Sequence, residues 1–296
     1  MPDTSKLFKR VYLEIGNTCN LHCSFCSPRT RPARQMTLPE FTSALMQLRP
    51  YTDSLYFHVK GEPLFHPLLE SFLREADARG FRVTITTNGV LLPEKGEILL
   101  NAPALRQVNL SLHSFPERTG VDPDRYFDAC FAFAKENSRR GRYTTLRLWT
   151  LGKGREADDG SLLILSRIEK AFPGTDALAE RLRERSVALG KGIFVSFDQE
   201  FSWPHLTDPF ISDTGFCHGL RQMIGVLADG TVVPCCLDAD GAAPLGNLFE
   251  IPLSEILSGE PFSSARAAFY NRQATLPLCK HCSYRTRFDA PGKDRL

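Results

Sequence analysis

The sequence lacks an excess of charge of either sign and lacks long apolar runs. Its 296 residues include 36 Lys and Arg against 34 Asp and Glu, a formal net charge of +2. This balance gives no support for binding to nucleic acid or to a membrane surface. The first residues, MPDTSKLFKRVYLEI, lack the apolar segment and cleavage site of a secretory signal, and no run approaches a membrane span. We therefore expect a soluble, cytoplasmic protein without a nucleic-acid or membrane partner.

The chain also lacks internal repeats and low-complexity tracts, so alternating strands and helices are its main pattern. Helices are predicted from Thr37, with a capping box to Glu40, from about residue 66 to 80, and from about 122 to 141. Apolar, β-branched runs predict strands over 11–15, 54–59, 83–88, 108–113, 146–150 and 193–197. Strands separated by helices favour parallel units, and six of them predict an α/β fold, a partial (β/α)6 TIM-like barrel. A complete barrel and a doubly wound open sheet are the alternatives.

The pattern changes after residue 197. The run M-I-G-V-L-A-D-G-T-V-V predicts a hairpin that turns at Asp229 and Gly230, and a cysteine-rich end follows. We therefore expect a barrel domain over 1–201 and a small second domain over 202–296. The stretch 152–192 is predicted to be a long crossover or an insertion.

Nine cysteines are the main chemical feature of the chain. An odd number in tight clusters indicates thiolate ligands in a reducing compartment rather than a disulfide framework. Cys19, Cys23 and Cys26 lie on one short loop after the first strand, where a barrel places its reactive groups. Three thiolates can hold three corners of a cubane iron–sulfur cluster and leave the fourth iron open to chelate a small molecule. The alternatives are a zinc site completed by His22 and buried thiols.

This loop resembles the cluster loop of the radical S-adenosylmethionine superfamily. That loop has the form C-x3-C-x2-C with an aromatic residue before the last cysteine, here Phe25. Further similarities follow in order: K-G-E-P at 60–63, T-T-N-G at 86–89 and S-L-H-S at 111–114. Lys60 is a departure, because family members carry G-G-E-P. The resemblance implies that Cys19, Cys23 and Cys26 bind a [4Fe-4S] cluster whose open iron chelates S-adenosylmethionine, which is cleaved to a 5′-deoxyadenosyl radical.

The same resemblance implies cofactor contacts near the cluster loop and at the strand ends. Backbone around the G-E-P turn meets the methionine ammonium, and Gly61 permits its close approach. The implied contacts are Phe25, Gly61, Glu62, Pro63, Asn88, Ser111, His113 and Arg147. For the strand-end side chains, filling the barrel is the alternative role. Three arginines after the loop, Arg29, Arg31 and Arg34, are predicted to form a solvated basic segment, with contact to an anionic substrate as the alternative.

The remaining cysteines fall into three groups. Cys130 stands at helical spacing among aromatic residues and is predicted to be a buried apolar thiol. Four C-terminal cysteines resemble those of the small twitch module, the shortened relative of the SPASM module, and the resemblance implies that they bind one auxiliary [4Fe-4S] cluster. These four are Cys217, Cys235, Cys279 and Cys282. Zinc is the alternative occupant. Cys236 is the candidate catalytic thiol: it can replace Cys235, donate a hydrogen atom, or be structural.

These patterns together predict a radical S-adenosylmethionine enzyme that abstracts hydrogen from its substrate. The stretches G-T-V-V-P-C-C and G-N-L-F-E-I-P-L-S-E-I-L resemble SPASM-type chains. That likeness favours a peptide or protein substrate modified by oxidation, cross-linking or epimerisation. Dehydrogenation of a small alcohol is the second hypothesis, and an Fe–S electron carrier without turnover is the third. An external one-electron reductant such as flavodoxin or ferredoxin is the implied partner.

Overall fold

Ten strands form one mostly parallel sheet in the computed structural model, which describes residues 6–117 and 120–289. In chain order the strands are β1 (Arg10–Leu13), β2 (Ser54–Tyr56), β3 (Arg82–Thr87), β4 (Leu105–Ser111), β5 (Tyr143–Leu151), β6 (Ser186–Gly190), β7 (Ile193–Gln199), β8 (Met223–Val226), β9 (Thr231–Val233) and β10 (Gly246–Asn247). The helices in the same residues are α1 (Leu38–Leu48), α2 (Leu69–Ala78), α3 (Leu92–Leu100), α4 (Pro123–Arg139), α5 (Asp159–Ala171), α6 (Leu253–Ser258), α7 (Glu260–Tyr270) and α8 (Pro277–Lys280).

The sheet order confirms the predicted partial barrel. Strands run β10-β9-β8-β1-β2-β3-β4-β5-β7-β6, and the sheet is not closed. From β1 to β5 and then β7, every parallel crossover adds the next strand on the same side of the sheet. A doubly wound sheet would reverse that direction at a switch point, so this alternative does not apply. The six predicted strands correspond to β1 to β5 and β7.

The C-terminal hairpin extends this same sheet. Strands β8 and β9 pair antiparallel around the predicted turn, where Gly230 has a φ of 89°. Strand β8 then pairs in parallel with β1 along its whole length, from Arg10 to Leu13. Backbone hydrogen bonding therefore continues from the barrel strands into the C-terminal segment, and the division at residue 202 stays a prediction.

Local sequence signals account for the helices that cover the sheet. At the start of α1, Glu40 N donates to Thr37 Oγ1 at 3.3 Å and Thr37 N donates to Glu40 Oε2 at 2.8 Å, which is the predicted capping box. Cys130 is fully buried in α4, as predicted, and a Cβ added to Gly89 would lie 2.9 Å from its Sγ. Within the described part of the chain, no helix is long and apolar enough to cross a membrane.

Candidate active site

The loop between β1 and α1 presents three thiols outside the core. Cys19 and Cys26 are exposed and Cys23 is half-buried, so the buried-thiol alternative does not apply here. Within the loop, Cys26 N donates to Cys23 O at 3.1 Å and Leu21 N approaches Cys19 Sγ at 3.4 Å. These thiols are therefore available as ligands.

The G-E-P turn is packed directly under the start of this loop. Glu62 N donates to Thr18 O at 2.9 Å, and Gly61 has a φ of 80°. A Cβ at position 61 would lie 2.8 Å from Thr18 O and closer still to Gly16 O. Glycine is therefore required by the chain's own backbone, in addition to the cofactor approach that the sequence predicts.

Buried hydrogen bonds connect the turn to T-T-N-G and to the cluster loop. Glu62 is buried, and its carboxylate accepts from Leu64 N at 3.0 Å and from Asn88 N at 2.8 Å. The Asn88 amide donates to Asn20 Oδ1 at 2.9 Å, beside Cys19. The structure thus brings three separate sequence motifs together at the carboxyl end of the sheet, where barrel enzymes carry their chemistry.

The other predicted contacts lie on the cluster loop, in the turn after Glu62, and on or just after β4 and β5, the next two strands of the sheet. The ring centroids of Phe25 and His113 are 5.0 Å apart, and His113 Nδ1 lies 3.1 Å from Arg147 O. Ser111 and Arg147 are paired in the register of β4 and β5. Pro63 opens the short 3-10 turn that follows Glu62. The predicted cofactor contacts therefore lie along adjoining strand ends.

The inner face of the sheet holds an arginine with an unpaired group. The Arg147 guanidinium lies 4.2 Å from the centroid of the Trp149 ring, and its Nε has no hydrogen-bond partner among the described residues. Burial lowers the pKa of Arg147 to about 10, against the opposing influence of Tyr12, and the guanidinium stays charged at neutral pH. Burial and the Arg147 charge lower the pKa of His58 to about 3, so this imidazole is neutral. An anionic group would meet a desolvated cation here.

Sequence analysis missed the aromatic layer beneath Arg147. The rings of Tyr12 and Tyr56 are 5.1 Å apart, and Tyr12 meets His58 edge-on at 5.3 Å. These residues point inward from β1 and from the end of β2. The alternation of side chains along each strand was the signal available, because positions two apart share one face.

The prediction of a solvated basic segment is wrong for Arg31, whose side chain is only 12% exposed, whereas Arg34 is exposed as predicted. Arg31 binds the buried Glu14 carboxylate at 2.6 and 2.8 Å and donates from Nε to Ala239 O at 2.8 Å. Arg34 donates from Nε to Ala228 O at 2.9 Å. These guanidiniums join the cluster loop to the C-terminal segment, and their partners are structural carbonyls and the carboxylates of Glu14 and Glu40.

The structure brings the four C-terminal cysteines together. Burial raises the pKa of Cys217 to about 11, and the neighbouring Cys282 adds to that rise. Burial also holds the pKa values of Cys235 and Cys279 well above the ordinary thiol value, with Cys217 a further cause for both. Ligation by a metal centre would keep these thiols deprotonated despite their burial.

The surroundings of these thiols fit an iron–sulfur cluster. Arg285 is only 2% exposed, its Nη2 donates to Ser212 O at 2.8 Å, and its Nε has no hydrogen-bond partner among the described residues. Its charge acts on Cys217, Cys279 and Cys282. The sulfides of a cluster would supply acceptors for such a donor. Over residues 6–117 and 120–289, no three His, Cys, Asp or Glu side chains are arranged to hold a single metal ion.

Cys236 lies apart from the other C-terminal thiols. Cys217 and Cys279 pack against the main core, whereas Cys236 packs against a second apolar cluster that includes Tyr12. Burial raises the pKa of Cys236 to about 11, opposed first by its hydrogen bond with Tyr12. Of the adjacent pair, Cys235 is therefore the one that faces the other thiols, and Cys236 faces the inner side of the barrel near Arg147.

Two family models match the chain on these same features. The model described as the Radical SAM superfamily matches residues 13–158, and the SPASM model, described as an iron-sulfur cluster-binding domain, matches residues 217–283. The first range contains the cluster loop, and the second contains all four C-terminal candidate ligands.

Curated relatives match only part of the chain. A tungsten-containing aldehyde ferredoxin oxidoreductase cofactor-modifying protein from Pyrococcus furiosus is 34% identical over 91 residues, 29% of this chain and 26% of the relative. A GTP 3',8-cyclase from Aquifex aeolicus is 30% identical over 123 residues, 38% of each chain. The matched segments thus span between a quarter and two fifths of these relatives' lengths.

Solved structures match over nearly the whole chain and show the fold. BtrN in complex with AdoMet and 2-DOIA has a TM-score of 0.59 at 20% identity, covering 94% of both chains. Streptococcus suis SuiB bound to the precursor peptide SuiA has a TM-score of 0.60 at 16% identity, covering 96% of this chain and 74% of SuiB. With both family models and the open barrel in agreement, this chain belongs to the radical SAM superfamily and carries a C-terminal SPASM iron–sulfur cluster-binding domain.

Proposed function

We propose that this protein uses a [4Fe-4S] cluster on Cys19, Cys23 and Cys26 to cleave S-adenosylmethionine, and that it abstracts hydrogen from a peptide or protein substrate. The observation that carries the proposal is the cluster loop, which leaves its three thiols outside the core. The G-E-P turn and Asn88 fix the start of that loop. Radical SAM proteins are enzymes, so the chain is an enzyme rather than a passive electron carrier.

The chain's own residues position and enclose the reaction. When bound, the cluster and S-adenosylmethionine supply the one-electron chemistry that generates a hydrogen-abstracting 5′-deoxyadenosyl radical. Gly61, Glu62, Pro63 and Asn88 are proposed to hold the cofactor beside the loop. Phe25 and His113 pack together at the adjoining strand end, and Ser111 lies next to them. The electron is proposed to come from an external carrier such as flavodoxin or ferredoxin.

Arg147 is proposed to fix an anionic group of the cofactor or substrate. Its unpaired Nε and its position over Trp149 leave a donor available inside the barrel. The neutral His58 beside it does not compete for an anion. A carboxylate in this place would form a charge-assisted hydrogen bond in a desolvated setting.

The substrate class rests on structural likeness. SuiB with its precursor peptide and anSMEcpe with the Kp18Cys peptide, at a TM-score of 0.57, both have this fold with a peptide bound. These structures support a peptide or protein substrate that is oxidised, cross-linked or epimerised. The second candidate is oxidation of a small alcohol, favoured by the reciprocal 94% coverage of BtrN with 2-DOIA. A short precursor-peptide gene beside this gene would favour the first class.

The test of the proposed function is cleavage of S-adenosylmethionine. Protein reconstituted anaerobically and reduced with dithionite should release 5′-deoxyadenosine, measured by liquid chromatography. The triple variant Cys19→Ala, Cys23→Ala, Cys26→Ala should release none, because no ligands remain for the open-iron cluster. Cys130→Ala is the matched control, since that thiol is buried in α4 and belongs to neither set of candidate cluster ligands, and it should retain cleavage. Equal release by the triple variant would reject the assignment of the loop.

A further inference from the structure

Lys60 stands where the family motif has glycine, and its side chain reaches the cluster loop. It is only 6% exposed. Its ammonium nitrogen lies 3.5 Å from Cys26 Sγ and donates to both the carbonyl and the hydroxyl oxygen of Ser27. The ring of Trp203 covers it, with 4.6 Å between Nζ and the ring centroid. The side chain is thus held against the third cysteine of the loop.

Among the described residues, the contacts of this ammonium include no carboxylate. The Glu14 carboxylate accepts at 3.1 Å from the backbone nitrogen of Lys60 and is itself paired with Arg31. The contacts of Nζ are neutral oxygens, an aromatic face and a thiol. A neutral donor would satisfy Ser27 equally well, so the oxygens do not explain why a cation is buried here.

We infer that Lys60 raises the reduction potential of the cluster bound through Cys26 by holding a positive charge against that thiolate. The inference rests on the proposed cluster at Cys19, Cys23 and Cys26. Reduction adds one electron, and therefore one negative charge, to the cluster and its thiolates. A buried ammonium 3.5 Å from one of those sulfurs stabilises the reduced form more than the oxidised form. Net charge and hydrogen bonds to sulfur are the protein's means of setting such potentials.

A redox titration of the full-length protein tests this. Both clusters are kept, and the signal of the reduced first cluster is identified by electron paramagnetic resonance as the one that changes when S-adenosylmethionine is added. In Lys60→Met, which keeps the aliphatic stem, the ratio of reduced to oxidised first cluster at a fixed potential should fall about tenfold. For a one-electron couple this is a shift of about 59 mV to more negative values. Lys60→Arg, which keeps the charge, should stay close to the parent.

The auxiliary cluster is the internal reference, because its four candidate cysteines lie on other segments of the chain. Its midpoint reduction potential should be the same in the parent and in the variants. Lys60→Gly, which restores the family residue, is the second variant and should shift the first cluster in the same direction. An unchanged midpoint in Lys60→Met and Lys60→Gly would overturn the inference. Loss of iron from both variants would also overturn it, because Lys60 would then only support the loop. If the parent protein forms no cluster on the loop, the proposed function itself fails, which is a separate outcome.

Discussion

Position 61 requires glycine for two reasons: its backbone conformation, and the lack of room for a side chain. Its φ of 80° lies in the left-handed region, and a Cβ would press on the carbonyls of Gly16 and Thr18. We predict that Gly61→Ala lowers the free energy of unfolding by roughly 2–4 kcal/mol, the sum of conformational strain and overpacking. The carbonyls of Gly16 and Thr18 lie just before Cys19 in the chain. Because the added methyl would displace them, the iron content after reconstitution should fall too. Urea denaturation and an iron assay measure both effects.

Gly141 provides the matched control for this prediction. It has a φ of 77°, but a Cβ there would meet nothing within 4 Å. Gly141→Ala should therefore lose only the conformational part, roughly 1–2 kcal/mol, and keep the iron of the parent. Equal losses in the two variants would show that the carbonyls of residues 16 and 18 do not restrict position 61.

At the residue scale, features that depend on neighbouring positions in the chain could be predicted from the sequence, and contacts between distant segments could not. The cysteine loop, the capping box at Thr37 and the buried Cys130 are patterns within a few positions of the chain, and all can be read directly. The partners of Arg31 and Arg34 cannot, because Ala239 and Ala228 lie 208 and 194 positions away. The positions of the C-terminal turns that supply these carbonyls are therefore needed before the partners of this basic run can be identified.

At the element scale, the end of β1 is a junction between the barrel and the C-terminal segment. Glu14 accepts hydrogen bonds from Arg31, from Ala228 N and from Lys60 N, the last two at 3.1 Å. Burial raises the pKa of Glu14 above its usual range, and the Arg31 guanidinium limits the rise. Because the folded pKa is raised, ionisation of Glu14 lowers the stability of the fold as the pH rises through that pKa, and the Arg31 guanidinium offsets part of this cost.

Arg31→Met should therefore destabilise the protein in a pH-dependent way. Without the guanidinium, the folded pKa of Glu14 rises further above its unfolded value, so stability is retained in acid and lost as the pH rises. We expect a loss of about 3–5 kcal/mol at neutral pH, where an unpaired carboxylate is buried, and a smaller loss near the ordinary carboxyl pKa. Denaturant midpoints measured on apo-protein from acid to neutral pH give the comparison with the parent.

Two further variants separate charge from packing in this prediction. The double variant Glu14→Gln, Arg31→Met has no buried carboxylate, so its loss relative to the parent should not grow with pH. Arg34→Met removes a neighbouring guanidinium whose acidic partner, Glu40, is partly exposed, and it should cost no more than about 1 kcal/mol. A pH-independent loss in Arg31→Met would mean that the Arg31 guanidinium does not lower the pKa of Glu14 in the folded protein.

At this scale, most of the strands could be predicted from the sequence, but their full order in the sheet could not. The six barrel strands follow from alternating strand and helix patterns, and the hairpin follows from its Asp-Gly turn. The pairing of β8 with β1 does not, because it joins segments about two hundred residues apart and depends on which sheet edge is free. Strand β6 was also missed, since a five-residue edge strand carries too few inward side chains to give a clear period.

At the scale of the whole molecule, the C-terminal segment places two thiols on opposite sides of one short stretch. Cys235 faces the auxiliary cysteines, and Cys236 faces the barrel interior with Tyr12. We predict that Cys235→Ser lowers the iron content of reconstituted protein from about eight to about four per chain, the loss of one four-iron cluster. Cys236→Ser is the matched control, and it should keep about eight irons. If Cys236→Ser lost the iron and Cys235→Ser kept it, Cys236 would be the cluster ligand and Cys235 would not.

Cys236→Ser then tests the proposed catalytic role of that thiol on a protein with both clusters intact. If the enzyme is an epimerase, the substrate radical must receive a hydrogen atom, and an exchangeable S–H facing the barrel can supply it. The parent in D2O should then incorporate solvent deuterium into product, measured by mass spectrometry, and Cys236→Ser should still form 5′-deoxyadenosine without delivering deuterium. If the enzyme instead oxidises its substrate, the electron must leave through the auxiliary site. Cys236→Ser would then keep product formation while Cys279→Ser would lose it, because only Cys279 belongs to the set of thiols that surrounds that site.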